Sequence, residues 1–271
     1  MKNTPGLILL ALVLGAQIVS AEVVPTVAIA DIPNNHVVQA AKPMTSVEVE
    51  SLLDYVEKTI FPSYAQYVFK LTHLKKDKTI KSFTFNMSMK KDKSLMMFSW
   101  PTTSRHKFLL KAEDNLWMYF SDVRRSIRLS ARDSFMGTDA NNYDLLQLNL
   151  IKDYSVAGYE ETVLDGHKAL KVKLSAEKNT EGYNKIVAWI SLDEKRLLRN
   201  DCYSISGDLI KHIFYHDVVK YEEFNVPSRI IIESMVNADR STLMEITNVE
   251  VLTEEKLNDS IFTLGHLETL D

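Results

Sequence analysis

Ser82-Phe83-Thr84-Phe85-Asn86-Met87-Ser88-Met89-Lys90 alternates large apolar side chains with polar ones along its whole length. A period of two sends successive side chains to opposite faces, so this stretch predicts a strand with one greasy face and one wet face. The same period runs outward in both directions. Upstream it includes Tyr67, Phe69 and Leu71. Downstream come Met96, Phe98 and Trp100, then Phe108 and Leu110, then 116–120, then Ile127 and Leu129 between Arg124, Ser126 and Arg128. Charged turns such as Lys75-Lys76-Asp77-Lys78 join these short strands. Beyond Ser134 the alternation pauses, and it resumes at Tyr154. Asp165-Gly166 is a hairpin signal, because a type I′ turn needs positive φ at both central residues. It predicts strands over 154–163 and 169–175. Further strands are expected over 186–192, 199–205, 209–215, 228–234 and 243–251.

Two helices interrupt the series. Thr45 and Glu48 form a capping-box pair at the start of a helix over 45–61. Val49, Leu52, Leu53, Val56 and Ile60 share one face of it at helical spacing, and Pro62 stops it. Gly137-Thr138-Asp139 reads as a turn, with Asp139 or Asn141-Asn142 capping a second helix over 143–150. The tail over 259–270 reads as an irregular cap. One helix, a run of strands, a helical break and more strands predict a mainly β fold. The expected architecture is a strongly curved antiparallel sheet with helices laid over its concave side.

The first 21 residues have the marks of a secretory signal peptide. Lys2 supplies the positive start, 7–14 is a short apolar run, and Val19-Ser20-Ala21 is a small-residue cleavage site. The apolar run is shorter than the roughly 20 residues a spanning helix needs, so a retained anchor is the lesser reading. Export to a bacterial periplasm is expected. Residues 22–44, with Pro25, Pro33, Pro43 and Asn34-Asn35, read as a flexible tether, and 45–271 as a single domain. The formal charge is −4, and removing the signal takes away Lys2 and no acid. Nucleic acid is excluded as a partner, since it calls for a concentrated basic face.

Catalytic signatures are missing. There is no G-x-S-x-G, H-E-x-x-H, P-loop or G-x-G-x-x-G pattern. His212 and His216, on one strand, would lie about 13 Å apart at roughly 3.3 Å per residue, too far to share a zinc. Glu160-Glu161 and Glu222-Glu223 would point to opposite faces as strand neighbours. Cys202 is the one cysteine; it reads as a buried small residue, with no partner histidine to activate it. No catalytic residue, metal or cofactor is expected.

The positive signal is the kind of apolar residue on the greasy face. Phe83, Phe85, Met87, Met89, Met96, Phe98, Trp100, Phe108, Trp117 and Trp189 are candidates for a cavity that holds acyl chains. Methionine is unbranched and adapts to varied apolar guests, whereas packed strand cores favour Val and Ile. A plain core that uses methionine fits the same residues. Arg124-Arg125, with Arg128 and Arg132, is the densest basic run. It could meet a phosphate or an acidic partner, or simply make surface ion pairs.

One further series of residues stands out. Arg124-Arg125-Ser126-Ile127-Arg128-Leu129 leads to Ser134-Phe135-Met136-Gly137-Thr138-Asp139 and Asn142-Tyr143-Asp144-Leu145-Leu146. Lys152-Asp153-Tyr154, Trp189-Ile190-Ser191, Ser206-Gly207-Asp208-Leu209 and Val226-Pro227-Ser228 follow in order. From about Ser46 onward this resembles the outer-membrane lipoprotein-sorting proteins, the family of the periplasmic carrier LolA. The resemblance implies an incomplete, unclosed antiparallel β-barrel (a half-barrel) with lid helices on the concave side, a monomer that takes lipoprotein or lipid cargo and performs no chemistry. It also implies an inner-membrane transporter of the RND type as a possible partner. Such carriers latch the lid with an arginine on a strand; Arg105, Arg124, Arg125 and Arg128 are the candidates here, with Leu145 and Leu146 on the lid side. Two other functions fit the same fold: a lipid or envelope-stress sensor, and an enzyme with an unfamiliar site.

Overall fold

Thirteen strands pair into one antiparallel sheet in this computed structural model, which describes residues 43–112, 115–145, 149–177 and 182–270. The signal-peptide reading and all but the last two residues of the tether reading lie outside the described residues, as does Leu146.

Six strands form a first meander: β1 (Tyr64–Lys75), β2 (Lys78–Lys90), β3 (Lys93–Trp100), β4 (Lys107–Ala112), β5 (Asn115–Phe120) and β6 (Arg125–Leu129). Seven form a second: β7 (Tyr154–Leu164), β8 (His167–Ala176), β9 (Lys185–Ser191), β10 (Arg196–Tyr203), β11 (Leu209–Tyr221), β12 (Phe224–Ser234) and β13 (Arg240–Val251). β1 and β13 pair and join the two meanders. The order across the sheet is therefore β6 to β1, then β13 down to β7, and the two edges do not pair with each other. The sheet is open, as the resemblance implies.

This topology has a direct consequence for the chain between β6 and β7. It leaves one edge of the sheet and has to arrive at the other, so it crosses the sheet's inner face. One apolar cluster joins that crossing segment to inward residues of β1–β5 and β8–β13. The sheet must curl for strands so far apart in order to share one core.

The first helix, α1 (Ser46–Ile60), starts where the sequence places it. Thr45 and Glu48 make the reciprocal capping box, which satisfies amides left without partners at a helix start. Val49, Leu53, Val56 and Ile60 are buried, and the helix lies over β10 and β12. Leu52 is only half-buried. Asp165 and Gly166 both have positive φ, 50° and 85°, as the hairpin reading requires.

The described part of the helix expected over 143–150 takes another form, and 146–148 lie outside the described residues. Asn142–Leu145 is a 3-10 turn, and the α-helical turn α2 spans only Leu150–Asp153. Asn141 and Asn142 do not cap a helix: the Asn142 side-chain amide donates to the Ser130 carbonyl at 2.8 Å. Asp139 does not cap one either, and its actual contact is described below.

A second, smaller core lies on the outer face. Leu95, Phe108, Leu110 and Tyr119 are covered there by Phe262 and Leu267 from the tail. The tail is a strap of 3-10 turns and one helical turn, α3 (Leu264–Leu267). Asp259 fixes it to the β2–β3 turn through Lys90 at 3.0 Å and Lys93 at 2.9 Å.

Candidate functional site

The inner face is a trough of large side chains. Tyr67, Phe69, Phe85 and Phe98 form a chain of ring contacts with centroids 5.4 to 5.7 Å apart. Phe135 completes it from above. It belongs to the crossing segment, is fully buried, and stacks on Phe98 with centroids 6.0 Å apart and planes 15° from parallel. Each such aromatic pair adds about 0.5–1.5 kcal/mol beyond area burial. Ala131, Ala140, Tyr143 and Leu145 of the same segment are also buried against the trough. This segment is the lid.

The block Ser134 to Asp139 builds the lid's tip. Met136 and Gly137 have positive φ, 52° and 69°, which reverses the chain so that Phe135 points inward. A Cβ on Gly137 would lie 2.9 Å from the Lys81 ammonium, which a flexible side chain can relieve, so it is the positive φ that favours glycine here. Lys81 donates to the Met136 and Gly137 carbonyls at 3.1 and 3.2 Å.

Polar side chains at one end of the trough hold the lid down. Lys81, His73 and Thr242 face each other across β2, β1 and β13. The Asp139 carboxylate lies 3.3 Å from His73 Nδ1, and the Asp139 amide donates to the Thr242 hydroxyl at 3.2 Å. Further along, Lys211 of β11 reaches Asp144 at 2.7 Å and the Asn141 side-chain carbonyl at 2.8 Å. The Tyr183 hydroxyl donates to the other Asp144 oxygen at 2.6 Å. Burial first, and then the Asp144 carboxylate beside it, push the Tyr183 phenol well above its ordinary value, so it remains a donor. Both charges of the Lys211–Asp144 pair are out of solvent, with side chains 8% and 1% exposed.

A cleft remains between the lid and the end of α1, lined by Phe61, Tyr67, Met87, Met89, Leu145 and Ile213 among others. The void in it is about 30 Å³. That is room for one or two waters, against the several hundred Å³ of a site that holds a small organic ligand. A hollow trough is therefore not what the closed lid leaves: the lid's own apolar side chains fill it.

The ten residues singled out for a cavity divide into two groups. Phe83, Phe85, Met87, Met89, Met96 and Phe98 lie together on the inner face, all buried. Trp100, Phe108, Trp117 and Trp189 do not. A register shift opposite Phe85 places Trp100 beside Thr84 on the outer face, where it is half exposed. Phe108 and Trp117 belong to the outer core under the strap. β4 and β5 are apolar on both faces for that reason, so alternation could not tell the faces apart. Trp189 is also outside. Its indole donates to Asp201 at 2.8 Å, and the Arg199 guanidinium stacks 4.6 Å from its ring.

The arginine latch is likewise corrected. Arg105, Arg124, Arg125 and Arg128 are all exposed. Arg105 donates to the Ser99 carbonyl at 3.1 Å, and the other three make no ion pair among the described residues. Lys211 and His73 hold the lid instead. Their signal was present in the sequence: each sits one step beyond an apolar alternation, on its inward parity. His73 continues Tyr67, Phe69 and Leu71. Lys81 precedes Phe83 and Phe85. Lys211 precedes Ile213 and Tyr215, and Thr242 precedes Met244 and Ile246.

His212 and His216 have separate neighbours. His212 lies 2.6 Å from Asp201, while His216 stacks on Phe214. No group of three or more metal-ligating side chains occurs among the described residues. Cys202 is buried; burial first, and then the Asp144 charge, raise its thiol well above the usual range.

The comparisons with known proteins agree with this geometry. A family model whose description reads "Uncharacterized protein" matches residues 90–269. The chain belongs to that family. Its fold is that of the LolA superfamily. A LolA superfamily protein from Nitrosomonas europaea is 22% identical with a TM-score of 0.69, over 79% of this chain and 96% of that one. An outer membrane lipoprotein-sorting protein domain from Vibrio parahaemolyticus is 16% identical with a TM-score of 0.68, over 81% and 97%. A structure from Desulfovibrio piger is 21% identical with a TM-score of 0.68, over 80% and 97%. No curated protein matches the sequence. The LolA-like chain described here thus shares an open sheet with lipoprotein-sorting domains across nearly their whole length.

Proposed function

We propose that this LolA-like protein is a non-enzymatic periplasmic carrier that shelters the acyl chains of a lipoprotein or another lipid. The observation that carries the reading is the lid. Phe135, buried in the stack of Phe85 and Phe98, is an apolar group held in the trough by polar contacts at its margin. An acyl tail offers the same kind of surface. Each buried methylene contributes about 0.8 kcal/mol, so a tail that replaces the lid in the trough offsets the lost packing. The first 21 residues read as the export signal that a periplasmic role requires, and the acid and base groups at the margin of the apolar surface are paired with one another, Asp139 with His73 and Asp144 with Lys211. Cargo enters when the lid lifts, and the lid shields the trough when cargo has gone.

Uptake of a fluorescent diacyl lipid tests this. The wild-type chain is expected to bind it slowly. Asp144→Asn, which removes the charge that pairs with Lys211, should bind it at least several-fold faster. Failure of both proteins to take up the lipid would overturn the carrier reading.

A further inference from the structure

Several exposed large apolar side chains lie at one end of the sheet, while Val47 and Val163, 69% and 66% exposed, lie elsewhere. Trp100, Val123, Ile205 and Val236 are 50%, 65%, 88% and 72% exposed. Val123, Ile205 and Val236 lie in three separate connections, β5–β6, β10–β11 and β12–β13, and Trp100 ends β3 where it leads into β3–β4. Alternate connections of an antiparallel meander fall at the same end, and the pairing bears this out. Lys75 at the end of β1 pairs with Lys78 and Arg240, Lys211 with Ser234, and Phe120 with Arg125. This is also the end where Lys81, His73, Thr242 and Lys211 hold the lid. The turns at the opposite end carry Asp193-Glu194 and Glu222-Glu223, and the lysines of the β2–β3 turn there are paired, Lys90 and Lys93 with Asp259 and Lys91 with Glu254.

Cations accompany the apolar tips. Lys76, Lys78, Arg124 and Arg125 are exposed and form no ion pair among the described residues. They stand out in a chain whose formal charge is −4.

We propose that this end of the sheet docks on the surface of an anionic phospholipid bilayer. The apolar tips are single side chains on separate loops, with polar neighbours between them. A protein partner would need a matching pocket for each. A bilayer interface accepts an apolar side chain at any point and attracts the lysines and arginines beside it. A tryptophan with one edge wet suits the same boundary. Docking in this way places the lid against the membrane. The proposal does not depend on what the trough holds.

Flotation of the full chain with phosphatidylcholine vesicles, with and without phosphatidylglycerol, tests it. The chain is expected to float with the anionic vesicles and to be released by high salt. Arg124→Glu/Arg125→Glu should weaken partitioning by about 10-fold or more. Ile205→Glu/Val236→Glu should weaken it comparably, and Val163→Glu, an equally exposed site at the opposite end, should not. In a Trp117→Phe/Trp189→Phe background, lipid-borne quenchers should dim Trp100. Equal binding to neutral vesicles, no flotation, an equal loss for Val163→Glu or an unquenched Trp100 would each overturn the proposal. Binding to a protein in place of vesicles would do the same.

Discussion

Lys211 shows how one residue can hold a movable element. Its ammonium is buried between Asp144 and Asn141, so most of its value lies in having a partner. Removing one member of a buried pair leaves the other charge uncompensated, at a cost of about 3–5 kcal/mol, while replacing both with apolar groups is often neutral or better. Lys211→Met is therefore expected to lower unfolding stability by that order. Lys211→Met/Asp144→Leu should recover most of the loss in denaturant titrations. A double variant no better than the single one would mean that Asn141 and Tyr183, more than Asp144, set the energy of the latch. The inward position of Lys211 was legible from parity alone. Its partner was not, because Asp144 lies on an irregular turn whose direction no periodicity encodes.

At the scale of elements, the strands and α1 could be read from the sequence because their periods are regular and their stops are chemical. Thr45, Glu48 and Pro62 bound α1, and Asp165-Gly166 fixes a hairpin. What could not be read has a common cause. Strands covered on both faces lose their alternation, as in β4, β5 and β9, and this sent Phe108, Trp117 and Trp189 to the wrong side. The bulge near Phe85 did the same to Trp100. The covering element for β4 and β5 is the strap, whose attachment is electrostatic. Hydrogen bonds from Lys93 and Lys90 hold the Asp259 carboxyl down to about 2, below its ordinary value. A depressed carboxylate stabilises its site above its unfolded pKa and ceases to do so as pH falls through the folded one. The strap should thus stay clamped above about pH 4 and loosen towards pH 2. Tryptophan emission in a Trp100→Phe/Trp189→Phe background, which leaves Trp117 under the strap, follows that loosening. Asp259→Asn should abolish the transition; an unchanged transition would place the pH sensitivity elsewhere.

Across the whole molecule, the sheet divides into two meanders whose backbones pair only where β1 meets β13, near its centre, and which share one core. The lid is the covalent link between the two far edges and contributes no strand to the ladder. A single protease nick inside it, between Gly137 and Asp144, is therefore expected to leave both halves paired under native conditions. They should elute together in gel filtration and separate only in denaturant; halves that part at once would mean the lid carries the fold. The same arrangement makes the protein a natural split reporter. Its two pieces, made as independent chains, should find each other through the central seam and the shared core, with the break falling in the segment that the carrier reading requires to lift.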